Sequence, residues 1–307
     1  MVIESAQTSV TQSKLSLWLA GARPRTLPAA VVPVLVGAAC AVGIEEVAAT
    51  SWWRVLLAAL VSLALQVGVN YANDYSDGVR GTDAQRVGPM RLVGSGTFTA
   101  SAVKLAAFVA LGVAAVAGLV LALVTSLWLL VVGAAALVAA WFYTGGTRPY
   151  GYMGLGEVFV FVFFGVVATV GSTFAVTETL PTVSWVASIA VGCFACALLV
   201  VNNLRDIPGD TVAGKRTLAV RLGDKKTRLL FNGLFAVAAA FVILTSFVAG
   251  PFSLLGLIGV AAAIPACRRV HQGATGRDLI AVLQMVGRAQ LVLAVSYAAG
   301  LALSLGT

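Results

Sequence analysis

The chain alternates long apolar runs with short polar segments, and the runs exceed the strands and core helices of a soluble domain. A helix that crosses a bilayer needs about 20 mainly apolar residues. Windows of that size predict nine such helices, near residues 27–44, 53–74, 103–122, 125–143, 155–176, 183–204, 229–249, 252–267 and 283–304. The eighth is short and contains Pro265. No Pro- or Ser-rich linker interrupts the series, so residues 1–307 read as a single all-α membrane domain, with 1–20 flexible or interfacial. The two longest connections, about 75–102 and 205–228, follow the second and sixth helices, and that four-helix separation suggests an internal duplication.

Composition agrees with this pattern. Hydrophobic residues make up 60% of the 307 and charged residues only 10%, against about 25% charged in soluble chains. Lipid is therefore the expected solvent. The net charge of +8 does not point to nucleic acid, because the basic residues sit in short segments between apolar runs. With the N-terminus inside, eighteen of the twenty Lys and Arg residues fall on the cytoplasmic side, leaving Arg54 outside and Arg288 within the last helix. That asymmetry predicts an N-in, C-out arrangement with the long connections cytoplasmic. The opposite connections are short or carry Glu45, Glu46 and Glu178, with Trp52, Trp53, Trp128 and Trp185 nearby as an aromatic belt.

The first fourteen residues lack the basic-then-apolar pattern of a cleaved signal, so the first helix is expected to act as an anchor. Arg outnumbers Lys fifteen to five and Ala, Val and Gly dominate, which points to a GC-rich bacterial genome and a bacterial cell membrane. Cys40, Cys193, Cys196 and Cys267 lie in or beside apolar helices, and Cys193–Cys196 has no second pair, so all four read as small core residues.

The chemistry concentrates in three cytoplasmic segments. Asn70, Asn73, Asp74 and Asp77 are spaced i, i+3, i+4, i+7 and share a face at the end of the second helix, with Asp83 beyond them. Asn202, Asp206 and Asp210 repeat the four-residue spacing after the sixth helix, and Pro208–Gly209 is expected to bend the chain between the two acids. Carboxylates at a helix C-terminus oppose its dipole unless a cation compensates. Five of them at one mouth call for Mg²⁺, which takes oxygen ligands from one or two carboxylates and from substrate phosphates. Arg80, Arg86 and Arg91 follow the first cluster, and Lys215, Arg216 and Arg221 the second, a cationic complement suited to a diphosphate. In the third segment Arg148 either meets phosphate or marks the cytoplasmic side, and Tyr143, Tyr150 and Tyr152 either face a carbocation or sit at the interface. Arg288 is either a buried ion-pair partner or a snorkelling residue, and His271 in its basic segment is expected to be solvated. No Ser–His–Asp set, P-loop or haem motif is present. A transporter would place charges or broken helices near the bilayer midplane, which disfavours that class here. A CDP-alcohol phosphotransferase would carry a compact D-G-x-x-A-R core, absent from this chain.

These residues resemble the UbiA superfamily of intramembrane aromatic prenyltransferases, whose members typically have nine transmembrane helices. The family's N-D-x-x-D-x-x-x-D motif is matched by Asn73, Asp74 and Asp77, but Gly81 stands where the third acid is expected and Asp83 follows; Asp206 and Asp210 match the D-x-x-x-D motif. Five stretches, 22–29, 73–83, 88–96, 143–157 and 202–223, resemble the naphthoate branch, with Thr147 where that branch carries Pro. The resemblance covers residues 22–223, and the C-terminal third matches only as generic helices. It implies transfer from a polyprenyl diphosphate to 1,4-dihydroxy-2-naphthoate with loss of CO₂, giving a demethylmenaquinol. It further implies Mg²⁺ on Asp74, Asp77, Asp83, Asp206 and Asp210, with Arg91, Lys215 and Arg216 on the leaving group. Asn70, Asn73 and Asn202 share the helix-end faces, and Arg25 is the first candidate for the acceptor carboxylate. A homogentisate- or hydroxybenzoate-type acceptor is the alternative within the superfamily.

Overall fold

A computed structural model of the chain describes residues 13–44, 51–82 and 91–306, and among these the regular elements are all helical. Ten helical segments follow in order: α1 (Lys14–Gly21), α2 (Pro28–Ala39), α3 (Arg54–Arg80), α4 (Ala100–Val124), α5 (Trp128–Phe142), α6 (Gly156–Thr177), α7 (Thr182–Val212), α8 (Leu218–Ala249), α9 (Pro251–His271) and α10 (Asp278–Leu305). Seven of them, α3, α4 and α6 to α10, are long and apolar enough to cross a membrane, while α2 and α5 are apolar but shorter. Large apolar side chains such as Phe108, Val116, Leu123, Phe247 and Val295 are exposed on this bundle. Surfaces of that kind require lipid. The chain is a multi-pass membrane protein.

The most enclosed helix is α7, which packs against α2, α6, α8 and α10. Phe194 of α7 meets Phe235 of α8 edge-on at 4.9 Å, and Leu279, Leu293, Tyr297 and Leu301 of α10 complete the same core. Small residues set the closest approaches, as expected where lipid gives apolar side chains no reason to leave it. A Cβ on Gly165 of α6 would lie 2.6 Å from the Cα of Gly192 on α7.

Two expectations need correction, and one open alternative is decided. The segment 205–228 is not a long loop, because α7 continues to Val212 and α8 starts at Leu218. Paired charges sustain the helix beyond its apolar part, with Arg228 bound to Asp224 at 2.7 Å one turn earlier. The bend expected at Pro208–Gly209 is absent, so Asn202, Asp206 and Asp210 stay on one helical face. Proline's fixed φ is itself helical, so the helix continues through Pro208 with only the bond to the Leu204 carbonyl lost. A backbone break occurs instead at Gly223, whose φ of 75° and ψ of 171° are non-helical. Finally, Arg288 is exposed on the outer face of α10, which selects the snorkelling reading over an ion-paired one. On the opposite end, Arg54 binds Glu178 at 2.7 Å and the carbonyl of Ala175.

Candidate active site

A cavity of about 1420 Å³ joins the polar ends of α3 and α7 to an apolar interior. Asn70, Asn73, Asp74, Asp77, Arg91, Asn202, Asp206, Asp210 and Lys215 line its polar end. Leu65, Gly118, Gly133, Leu137, Phe163 and Val167 are among its apolar walls. The two Asn/Asp clusters, more than a hundred residues apart in sequence, therefore share one chamber, and Tyr143, Tyr150 and Arg25 share it too.

Asp77 is the electrostatic centre of this chamber. Lys215 Nζ approaches its Oδ1 at 3.0 Å and Arg91 Nη2 its Oδ2 at 3.8 Å. Tyr152 donates its hydroxyl to the same carboxylate, and Lys215 lies 4.7 Å from the centre of the Tyr152 ring. Burial and the Asp77 charge push the Tyr152 phenol above its usual range, so it remains a donor. Burial also raises Tyr143 and Tyr150, which keeps three neutral phenols in the third segment. That segment is closed by the N–H of Gly151 donating to the Tyr143 carbonyl at 3.0 Å, which brings Tyr143 and Tyr150 edge to face. Arg80 pins it to α3 by donating to the carbonyls of Thr144 and Gly146, while Thr144 Oγ1 donates to Asn73 Oδ1 at 2.8 Å.

Asp74 holds a neighbouring loop. Its two oxygens accept the backbone N–H groups of Leu92 and Val93, each at 3.0 Å, and so position the turn that carries Arg91. Asn70 donates to the Ala22 carbonyl at 2.8 Å and to Thr26 Oγ1, which fixes the turn between α1 and α2 where Arg23 and Arg25 stand. In that turn Arg23 adopts a left-handed φ of 55°, costly for a residue with a Cβ. Asp206 is gripped at both oxygens by Arg205, at 2.7 and 2.8 Å. Asn202 donates within its own helix to the Leu198 carbonyl.

Two expected site residues are not on the cavity wall. Arg148 is exposed, because closure of the 143–151 turn directs its tip outward. Arg216 is exposed as well: its backbone N–H binds the Tyr152 carbonyl, and in a non-helical stretch successive side chains diverge, Lys215 inward and Arg216 outward. Asp83 lies outside the described residues. Sequence reasoning did not select Arg205, Asn203 or Glu157, whereas Arg23, an alternative to Arg25 for the acceptor carboxylate, lines the cavity. For Glu157 a signal existed, since it is the one acid in an otherwise apolar run and intramembrane ionisable residues are rarely idle.

The four described carboxylates are distributed around the chamber, and no three His, Cys, Asp or Glu side chains among the described residues group closely enough to hold an ion by themselves. A hard cation completed by substrate oxygens fits this donor set, because Mg²⁺ is usually bound by one or two carboxylates plus phosphates.

The model of the UbiA prenyltransferase family matches residues 30–304. A relative in Mycobacterium tuberculosis, a 1,4-dihydroxy-2-naphthoate octaprenyltransferase, is 50% identical over 93% of this chain and 96% of its own length. A protein of the same name in Escherichia coli is 38% identical over 74% of this chain and 76% of its own length. Among solved structures, a UbiA homolog from Archaeoglobus fulgidus bound to GPP and Mg²⁺ shares the fold, with a TM-score of 0.65 at 13% identity over 92% of this chain and 99% of that one.

Proposed function

The chain belongs to the UbiA prenyltransferase family, and on that premise we propose that it transfers a polyprenyl chain from its diphosphate to 1,4-dihydroxy-2-naphthoate in menaquinone biosynthesis. The observation that carries this reading is the single cavity, with carboxylates and cations at one end and an apolar chamber behind them. Asp74, Asp77, Asp206 and Asp210 would hold Mg²⁺, which supplies positive charge to the diphosphate as it departs. Lys215 and Arg91, both now directed at Asp77, add fixed cationic charge beside the same oxygens. The allylic C–O bond breaks and its electron pair leaves with diphosphate. Neutral Tyr143 and Tyr150 on the cavity wall would stabilise the allylic cation, and the apolar walls would keep water from it. The ring carbon bearing the carboxylate forms the new C–C bond. The bond to the carboxylate then breaks, CO₂ leaves, and its electron pair restores the aromatic ring, so no general base is required.

The acceptor is an anion, and a planar guanidinium offers its carboxylate two parallel donors that an ammonium does not. Arg25 lines the cavity and is assigned this role. Arg25→Lys is expected to raise the apparent KM for dihydroxynaphthoate roughly tenfold while leaving that for the prenyl donor nearly unchanged. Equal weakening of both substrates, or of neither, would remove the assignment. A wild-type protein that yields no prenylated naphthoquinol would remove the whole reading.

The same reading takes the protein as a single domain with nine spans, counting α2 and α5, N-in and C-out in the bacterial cell membrane, built on a duplicated four-helix unit. The matching Asn/Asp ends of α3 and α7 support the duplication. In a cysteine-free background, a cysteine at Lys225 should be labelled only from the cytoplasm and one at Leu180 only from outside. Labelling of residue 225 from outside would reverse the arrangement.

A further inference from the structure

Glu157 and Asn203 have no part in the mechanism above, yet they form a deliberate pair. Glu157 stands in the first turn of α6 and is 8% exposed. Its Oε1 accepts a hydrogen bond from Asn203 Nδ2 at 2.9 Å, while its Oε2 is buried without a hydrogen-bond partner among the described residues. Asn203 lines the large cavity and Glu157 does not, so the acid stands behind the amide.

The chemistry of the pair fixes the amide's orientation. Asn203 turns its NH₂ group to Glu157, Nδ2 donating to Oε1 at 2.9 Å. The carbonyl oxygen is then the atom left for the cavity. A diphosphate carries acceptors and offers this oxygen nothing. A hydroxyl or a cation does. Asn202, Asp206 and Asp210 occupy the helix face of the carboxylate cluster, whereas Asn203 is one residue further round, about 100° away. On that side lies the Gly156–Glu157 end of α6, where a Cβ on Gly156 would be 3.6 Å from the Tyr143 hydroxyl. This is the aromatic side of the chamber, with Tyr143 and Tyr150 on its wall.

We infer that Asn203 Oδ1 accepts a hydrogen bond from one ring hydroxyl of the aromatic acceptor, and that Glu157 is the positioning residue that holds the amide the right way round. The inference rests on the dihydroxynaphthoate reading and names the group that would recognise one of its hydroxyls.

The test uses the full chain in proteoliposomes, with 1,4-dihydroxy-2-naphthoate as substrate and 1-hydroxy- and 4-hydroxy-2-naphthoate as competing ligands that each lack one hydroxyl. Asn203→Ala is expected to raise the acceptor KM about tenfold, the worth of one well-made hydrogen bond, with the donor KM unchanged. One of the two analogues should bind wild type and Asn203→Ala equally, because its missing hydroxyl is the partner that the variant has lost. Glu157→Gln should reproduce the same pattern more weakly, since a neutral amide lets Asn203 turn either way, and it carries the test if Asn203→Ala is not recovered folded. An unchanged acceptor KM overturns the inference. So does equal loss for both analogues, which would mark a packing role, or a raised Mg²⁺ activation constant, which would make Asn203 a metal ligand. In each of those outcomes wild type still prenylates the naphthoate. Failure of wild type to do so would instead overturn the reading beneath.

Discussion

Asp210→Asn is expected to slow prenyl transfer by roughly 10³-fold, about 4 kcal/mol of barrier, with the protein still folded in the membrane. Asp210 lines the chamber one turn beyond Asp206, on the same face of a helix that Pro208 does not break. Asparagine keeps the shape and removes the charge that would hold Mg²⁺. Asp74→Asn is expected to be at least as damaging, and for two reasons. Its carboxylate both faces the chamber and accepts two backbone N–H groups that set the Arg91 turn. An amide has one oxygen to offer them, so this variant should also expose the 91–96 segment to proteolysis, which Asp210→Asn should not. Full activity in both variants would remove the carboxylates from the chemistry.

The second large effect is metal removal. EDTA is expected to abolish turnover, by about 10³-fold or more, and Mg²⁺ to restore it. The structure adds a sharper expectation about binding. Asp77 is taken up by Lys215, Arg91 and Tyr152, and Asp206 by Arg205. No three acids stand together among the described residues. Mg²⁺ alone should therefore leave Tm nearly unchanged, whereas Mg²⁺ with a polyprenyl diphosphate should raise it by several degrees. Ligand at a hundred times its Kd stabilises by about 2.7 kcal/mol. A large shift with Mg²⁺ alone would show a preformed metal cage and contradict this account.

Much of this site was legible because helices impose a simple geometry. Asn70, Asn73, Asp74 and Asp77 fall on one face at helical spacing whatever surrounds them, and the same holds for Asn202, Asp206 and Asp210. Apolar run length located the seven long apolar helices for a similar reason, along with the shorter α2 and α5. The failures concern direction and partnership. Arg148 and Arg216 lie in segments next to the site, but loop charge counts say nothing about which way a side chain turns. Pro208 read as a bend because local propensity ignores the packing that holds a long helix together. The Glu157–Asn203 pair joins residues 46 positions apart through packing of α6 on α7. Asp74's grip on the Leu92–Val93 backbone is equally invisible in a string of side chains.

The fate of the acceptor's carboxylate distinguishes this chemistry most directly. Reconstituted wild-type protein, given geranylgeranyl diphosphate, Mg²⁺ and 1,4-dihydroxy-2-naphthoate labelled with ¹³C at the carboxyl carbon, should be followed by mass spectrometry of both lipid and gas. A single prenylated naphthoquinol without the label is expected, with one labelled CO₂ released for each molecule formed. A prenylated product that keeps its labelled carboxylate, or prenylation of 4-hydroxybenzoate while the naphthoate is left untouched, would contradict that chemistry.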